Sequence, residues 1–310
     1  MSQTPPIDLN KTLGAVYIGN IAAASLFGLT SLQAFIFFSG NTRDRRPFKR
    51  LIAFLWFLDL LHIVLMSHGV YSYLIIDFSN YAALERPVWS LLVQVITTCF
   101  SDLIVRGIFA RRIWVLSGHN NRLLFAITLG SIFVCAMGLM FAIRGFIDGS
   151  FARIVLESWI LYTALGSSVV VDGIVTVSLC VLLVGVRTGF KSTDSLVNTL
   201  MLYSINTGLI TSLCATACFV TFAIWPHQFV FIGFYFVLSK LHVNSLLAVL
   251  NTRETLRRRN AGMTSIPQSP SSIEPLTMNF LVSSNAGHSE PESPSVAKPQ
   301  PSKHPWQSRC

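Results

Sequence analysis

Apolar residues fall in seven long blocks along the chain: Leu13 to Ser39, Leu51 to Ile76, Val88 to Ala110, Leu123 to Ile143, Trp159 to Val186, Leu200 to Trp225 and Gln228 to Leu250. Each is about 20 residues or more, the length a helix needs to cross roughly 30 Å of hydrocarbon. Ten-residue stretches of strict alternation are absent, which argues against a transmembrane barrel. Prolines 47, 87 and 226 lie between blocks and none lies inside one, so the helices are expected to run with few sharp kinks. The pattern predicts an all-α membrane protein. A bundle of seven transmembrane helices occupies residues 13–258, preceded by a short segment, 1–12, and followed by a tail, 259–310.

Composition agrees with a bilayer as solvent. Hydrophobic residues make up 52% of the 310 positions and charged residues 12%, about half the roughly 25% charged share of soluble domains. The placement of Lys and Arg sets the expected orientation, because cytoplasmic loops retain positive charge. The first, third and fifth loops and the segment after the last block hold fourteen basic residues, among them Arg43, Arg45, Arg46, Arg111, Arg112, Arg187 and Arg257 to Arg259. The N-terminus and the alternate loops hold four: Lys11, Arg86, Arg144 and Arg153. The N-terminus is therefore expected outside and the C-terminus in the cytoplasm, with Trp89, Trp159 and Trp225 in an outer aromatic belt. The net charge of +9 then reflects topology and attraction to anionic lipid headgroups. Basic residues spread over helix ends form no single docking face, so nucleic acid is not an expected partner.

MSQTPPIDLNKT lacks a basic n-region and the first apolar block is long enough to remain in the membrane, so a signal anchor is expected. Asn10-Lys11-Thr12 matches a glycosylation sequon close to the membrane. Five of the six cysteines fall inside apolar blocks and Cys310 ends the tail, leaving no pair for an outer disulfide. Cys214 and Cys218 share a helix face without further metal ligands, and small core residues is the simpler reading. Residues 261–310 hold eight prolines and eleven serines. Such a segment cannot bury enough apolar surface to offset its ordering entropy, so a disordered cytoplasmic tail is expected. Its Ser269-Pro270 and Ser293-Pro294 pairs are candidate phosphorylation sites.

Ionisable residues inside apolar blocks are costly, roughly 2.5–3.5 kcal/mol each at the bilayer centre, and so mark candidate sites. They are Asp59, His62, His68, Asp102, Arg106, Asp172, Lys240 and His242. Asp102 and Arg106, four apart in the favourable order, predict a pair within one helix. Lys240 stands some ten residues, roughly 15 Å, from either end of its block, too deep to reach water easily. Gly233, Val237, Lys240, Asn244, Ala248 and Asn251 follow one helical stripe, predicted to face the bundle. A carboxylate must neutralise the lysine. Asp59, which shares a face with His62, is the first candidate and Asp172 the second. Ser204, Thr207, Thr211 and Cys218 form a second stripe, suited to close helix packing.

The segments WFLDLLHIVLMSHGVYSYLI, RRIWVLSG, VVVDGIVTVSLCVLL, RTGFKSTDSLVNTLMLYSINTGLITSLCA and FYFVLSKLHVNSLLAVLNTRE resemble a large family of multi-pass membrane proteins from mushroom-forming fungi (basidiomycetes). The resemblance runs from about Leu9 to Arg258. It is most specific over the last three helices, which in that family form a domain of unknown function. It implies a seven-helix topology and a fungal origin, and carries no activity, cofactor or catalytic residue.

Three functional classes follow. A receptor or sensor fits seven helices, an outer N-terminus, no internal repeat and a phosphorylatable tail through which a cytoplasmic signalling partner could act. Its ligand would be an unidentified small molecule. FARRIW lacks an acidic-Arg-aromatic triplet and HVNSLLAVLN lacks an Asn-Pro turn, so the likeness is architectural. An ion or solute pathway would use Asp59, Asp172 and Lys240 as its polar groups. An intramembrane enzyme is disfavoured, because His62, His68, His227 and His242 form no HxxxH or HExxH pair and no catalytic or metal site is evident. A lysine in the last helix also suggests a retinal Schiff base, but Phe236 one turn earlier and SDLIVRG in the third helix do not fit that pattern.

Overall fold

The computed structural model describes residues 13–40, 44–78, 80, 83, 86–150, 153, 157–185, 191–225 and 228–264; the side chains of 191–204, 206, 207 and 256–264 are not described. The Asn10 sequon, His227, the side chains of Ser204 and Thr207, and the tail with Ser269 and Ser293 lie outside the described residues and side chains.

Seven α-helices account for nearly all described residues, and no strand occurs among them. They are α1 (Ala15–Gly40), α2 (Arg46–Tyr71, continuing as a widened π turn over Ser72–Ile76), α3 (Trp89–Leu116), α4 (Asn121–Asp148), α5 (Ser158–Gly185), α6 (Lys191–Ile224) and α7 (Val230–Thr264). Among the described residues six are long and apolar enough to cross a membrane, and α6 contributes an apolar stretch, Gly208–Ile224.

Five helices outrun their apolar blocks at polar ends, α4 among them, which runs from Asn121 through Arg144 to Asp148. α2 begins at Arg46, α3 continues through Arg111 and Arg112 to Leu116, α6 begins at Lys191, and α7 continues to Thr264 through residues 259–264 that hydropathy assigns to the tail. The cause is simple. Hydropathy detects only the part of a helix that suits lipid, whereas Arg, Lys, Glu and Leu all favour helical backbone in water as well. Pro47 in the first turn of α2 is harmless, since that position lacks an intrahelical acceptor for its N–H.

Chain neighbours pack side by side from α1 to α7, and α7 returns against α1 to close the ring. α3 also touches α5 and α7, and α7 also touches α2. Accordingly α3 and α7 are the inner helices: 56% and 50% of their apolar windows are buried, against 33% or less in the other spans. α1 and α2 run antiparallel, with Trp56 Nε1 donating to Ser31 Oγ and Ser67 Oγ donating to Asn20 Oδ1. α1 and α7 run parallel. Asn244 Nδ2 donates to the Leu26 carbonyl and Asn251 Nδ2 to the Gln33 carbonyl, a constant offset of 218 positions. At the head of that seam Gly19 meets Gly233, and a Cβ on Gly19 would come 2.5 Å from the Gly233 Cα. Small residues here let two backbones touch, the usual means of helix association where the hydrophobic effect offers nothing. The stripe from Gly233 to Asn251 is therefore the surface that α7 presents to α1 and α2.

Candidate functional site

Lys240 and His242 stand two residues apart on α7 and so project to opposite sides of the helix. Each organises a separate polar centre.

On the α1–α2 side, Lys240 is completely buried and Asp59 nearly so. The ammonium donates to Asp59 Oδ1 at 2.6 Å and to the Asp59 backbone carbonyl at 2.7 Å. It also lies 5.4 Å from the centroid of the Phe27 ring, a favourable cation–π position. His62, one turn beyond Asp59, is buried, and neither of its ring nitrogens has a protein partner. Thr30, fully buried on α1, closes the centre and donates to the Leu26 carbonyl. Asn244 lies one turn along α7 and is committed to α1 rather than to this ion pair.

On the α3–α5 side, Arg106 is buried and clamps Asp172 in a fork, Nε to Oδ1 at 2.9 Å and Nη2 to Oδ2 at 3.2 Å. Nη2 also donates to Ser168 Oγ, whose hydroxyl in turn faces Asp172 Oδ2 at 3.3 Å. His242 places Nε2 3.3 Å from Asp172 Oδ2 and Nδ1 3.2 Å from Asp102 Oδ1. The Asp102 contact has ion-pair distance without hydrogen-bond alignment. The pair expected within α3 is thus replaced: Arg106 reaches across to α5 and Asp102 turns to α7. A guanidinium binds best as a two-pronged fork, and Asp172 with Ser168 offers that geometry where a carboxylate on the same helix does not.

This second centre borders two cavities. The larger has an empty volume of about 1110 Å³, its open part included, and follows α3 from Pro87 to Arg106 among α4, α5, α6 and α7. Leu91, Leu92, Phe141, Leu165 and Phe231 make its walls apolar, and Asp102, Arg106 and Ser168 provide a charged floor. Higher on the wall Gln94 is buried with Oε1 unpartnered. The smaller, about 440 Å³, lies against Arg106, Asp172 and His242 and includes Thr176, Thr211 and Ser245. Arg106 lines both. At the far end of the larger cavity Tyr73 holds the α2–α3 connection, donating to the Arg86 carbonyl at 2.8 Å and accepting from the Val88 amide at 3.0 Å. His68 Nδ1 lies 3.0 Å from Ser90 Oγ, joining α2 to α3 nearby.

Sequence reasoning overlooked Phe27, Thr30 and Gln94. A charge-based search has no reason to find an aromatic ring or a neutral amide. A polar residue in the otherwise apolar LLVQVI was the available signal for Gln94. Cys214 and Cys218 each direct Sγ at an α7 carbonyl, those of Phe234 and Phe231, both at 3.4 Å, consistent with packing.

A ring of long apolar helices with two buried ionic centres defines a multi-pass α-helical membrane protein. Residues 168–255, which hold Ser168, Asp172, Lys240 and His242, match the family described as "Family of unknown function (DUF6534)". The chain matches no curated protein and no solved structure.

Proposed function

We propose that the protein is a seven-span membrane receptor or sensor that binds a small molecule in the larger cavity and responds through the ionic centre at its floor. The observation that carries this reading is that Arg106 is at once part of the cavity lining and the clamp between α3 and α5. A molecule that reaches Asp102 or Ser168 therefore competes with contacts that join α3, α5 and α7. Changing those contacts changes how three helices are held, which is what a signalling bundle requires.

In this reading the N-terminus is outside and the C-terminus cytoplasmic, with the cavity reaching toward the outer face at Pro87. The excess of basic residues on the opposite ends supports that orientation. So do Trp89, Trp159 and Trp225, about half exposed at helix ends that share one side in this topology. The reading assigns no enzymatic step, and the Ser/Pro-rich tail is the expected contact for a cytoplasmic partner.

The coupling is tested with spin labels at Val115 on α3 and Val184 on α5, both exposed, in nanodiscs and on a background without native cysteines. Arg106→Leu is expected to change the measured distance distribution. An unchanged distribution in folded protein rejects the coupling.

The second cavity, beyond the ionic centre, favours one other reading: an ion or solute pathway in which the network is the barrier. Asp59 and Lys240 lie away from both cavities, so the polar groups of such a path are Asp172 and His242. Proteoliposomes carrying a pH-sensitive dye distinguish the two. The receptor reading expects no flux above empty vesicles; proton or ion flux abolished by Asp172→Asn transfers the function to transport.

A further inference from the structure

The polar atoms around the larger cavity select the chemistry of its occupant. Resting on the receptor reading, we propose that the ligand is a neutral lipophilic alcohol: an elongated apolar body with a hydroxyl that donates to Asp102 at the floor.

Shape comes first. The cavity follows α3 from Pro87 to Arg106, a length of roughly 28 Å at 1.5 Å per residue. Its walls are aliphatic and aromatic, so a narrow apolar molecule gains the most from filling it. Small side chains keep it open: Cys99, Cys135, Gly138 and Ala164 all line it.

Hydrogen bonding comes next. Arg106 Nε and Nη2 are engaged by Asp172 and Ser168. Among the residues that line this cavity, the buried side-chain atoms without a hydrogen-bond partner are acceptors, Asp102 Oδ1 and Gln94 Oε1. Asp102 Oδ1 has an ion-pair neighbour and no aligned hydrogen bond, and Gln94 Oε1 has neither, so both call for a donor on the ligand, because a buried acceptor without a hydrogen bond is costly. A carboxylate or phosphate brings only acceptors and a negative charge beside Asp102.

Charge separates a hydroxyl from an ammonium. Both nitrogens of His242 face carboxylate oxygens, Asp102 at 3.2 Å and Asp172 at 3.3 Å, a geometry that suits an imidazolium. With His242 in that form, Arg106 and His242 balance Asp102 and Asp172. The floor is neutral as built, and a cationic ligand would add an uncompensated charge in a low-dielectric site. A hydroxyl meets the acceptor without disturbing that balance.

The test compares dodecanol, dodecylamine and dodecanoate, equal in chain and different in head, by native mass spectrometry and thermal unfolding of the full chain in nanodiscs. Dodecanol is expected to bind about tenfold more tightly than either ionic analogue. Asp102→Asn should weaken it about tenfold. Ala164→Phe, which fills the cavity without touching the network, should abolish it and keeps the test decisive where the Asp102 variant fails to fold. Equal binding of all three, preference for the amine, or undiminished binding to Ala164→Phe overturns the proposal. Dodecanol bound in the cavity with no change in the Val115–Val184 distance would instead sink the receptor reading and leave the ligand class standing.

Discussion

Lys240 and Arg106 are both buried cations on the two innermost helices, yet their surroundings differ in kind. Lys240 is sealed. One carboxylate, one carbonyl and an aromatic ring surround it, and neither cavity includes it. Arg106 spreads its contacts over Asp172 and Ser168 within a network that His242 extends to Asp102, with empty space on both sides. A compact ammonium can be satisfied by a single residue of one neighbouring helix, whereas a guanidinium fork holds two partners in a plane. The first arrangement fixes α2 against α7. The second fixes α3 against α5 through a residue that lines both cavities. Similar ionic chemistry is a rivet where space is excluded and, in the receptor reading proposed above, an adjustable joint where space adjoins it.

The sharpest way to break this contrast is to remove half of the sealed pair. Lys240→Leu or Asp59→Leu alone is expected to cost about 3–5 kcal/mol, because the remaining charge has no water to turn to. Combining the two should recover more than half of that loss, as read by unfolding titrations in detergent. A double variant as unstable as the sum of the singles would show that the pair is not what holds these groups. Arg106→Leu should cost less, about 2–3 kcal/mol, since Asp172 keeps Ser168 and His242 as partners. A loss as large as that at Lys240 would mean that the second centre is equally sealed.

Packing next to the rivet comes third. Gly233→Ala would bring a Cβ within 2.7 Å of the Ala15 carbonyl oxygen, pushing α7 off α1, and should cost about 1–3 kcal/mol. A neutral substitution there would show that the seam has slack. The smallest effect belongs to the end of the cavity: Tyr73→Phe removes one donor and one acceptor, at about 1 kcal/mol. Faster hydrogen exchange at the Val88 amide, with the rest of the bundle unaffected, is the expected signature. No change in that amide would mean that the α2–α3 connection is held by other contacts.

Much of this architecture is written in one dimension. Seven helices were legible because bilayer-scale apolar runs have to be continuous, and the requirement that Lys240 find an acidic partner followed from the cost of a lone charge in such a run. The stripe from Gly233 to Asn251 was legible as an interior face, because small and polar residues at helical spacing serve no purpose against lipid. Which helix that face meets was not, since local spacing says nothing about neighbours in the ring. The sequence ranked Asp59 before Asp172 for Lys240 on an analogy of helix order; the fold puts Asp59 at the lysine and Asp172 at Arg106. It also favoured Asp102 for Arg106, because i, i+4 spacing is the only proximity a single helix reveals. Tertiary structure brought α5 within reach of the same guanidinium and offered a fork with a hydroxyl beside it, and a long flexible side chain follows the better acceptor geometry over the nearer residue. The cavities, too, exist only in three dimensions. The larger lies where Gly138, Ala164 and two cysteines, contributed by three helices, coincide, and a coincidence of small residues across helices leaves no periodic trace along the chain.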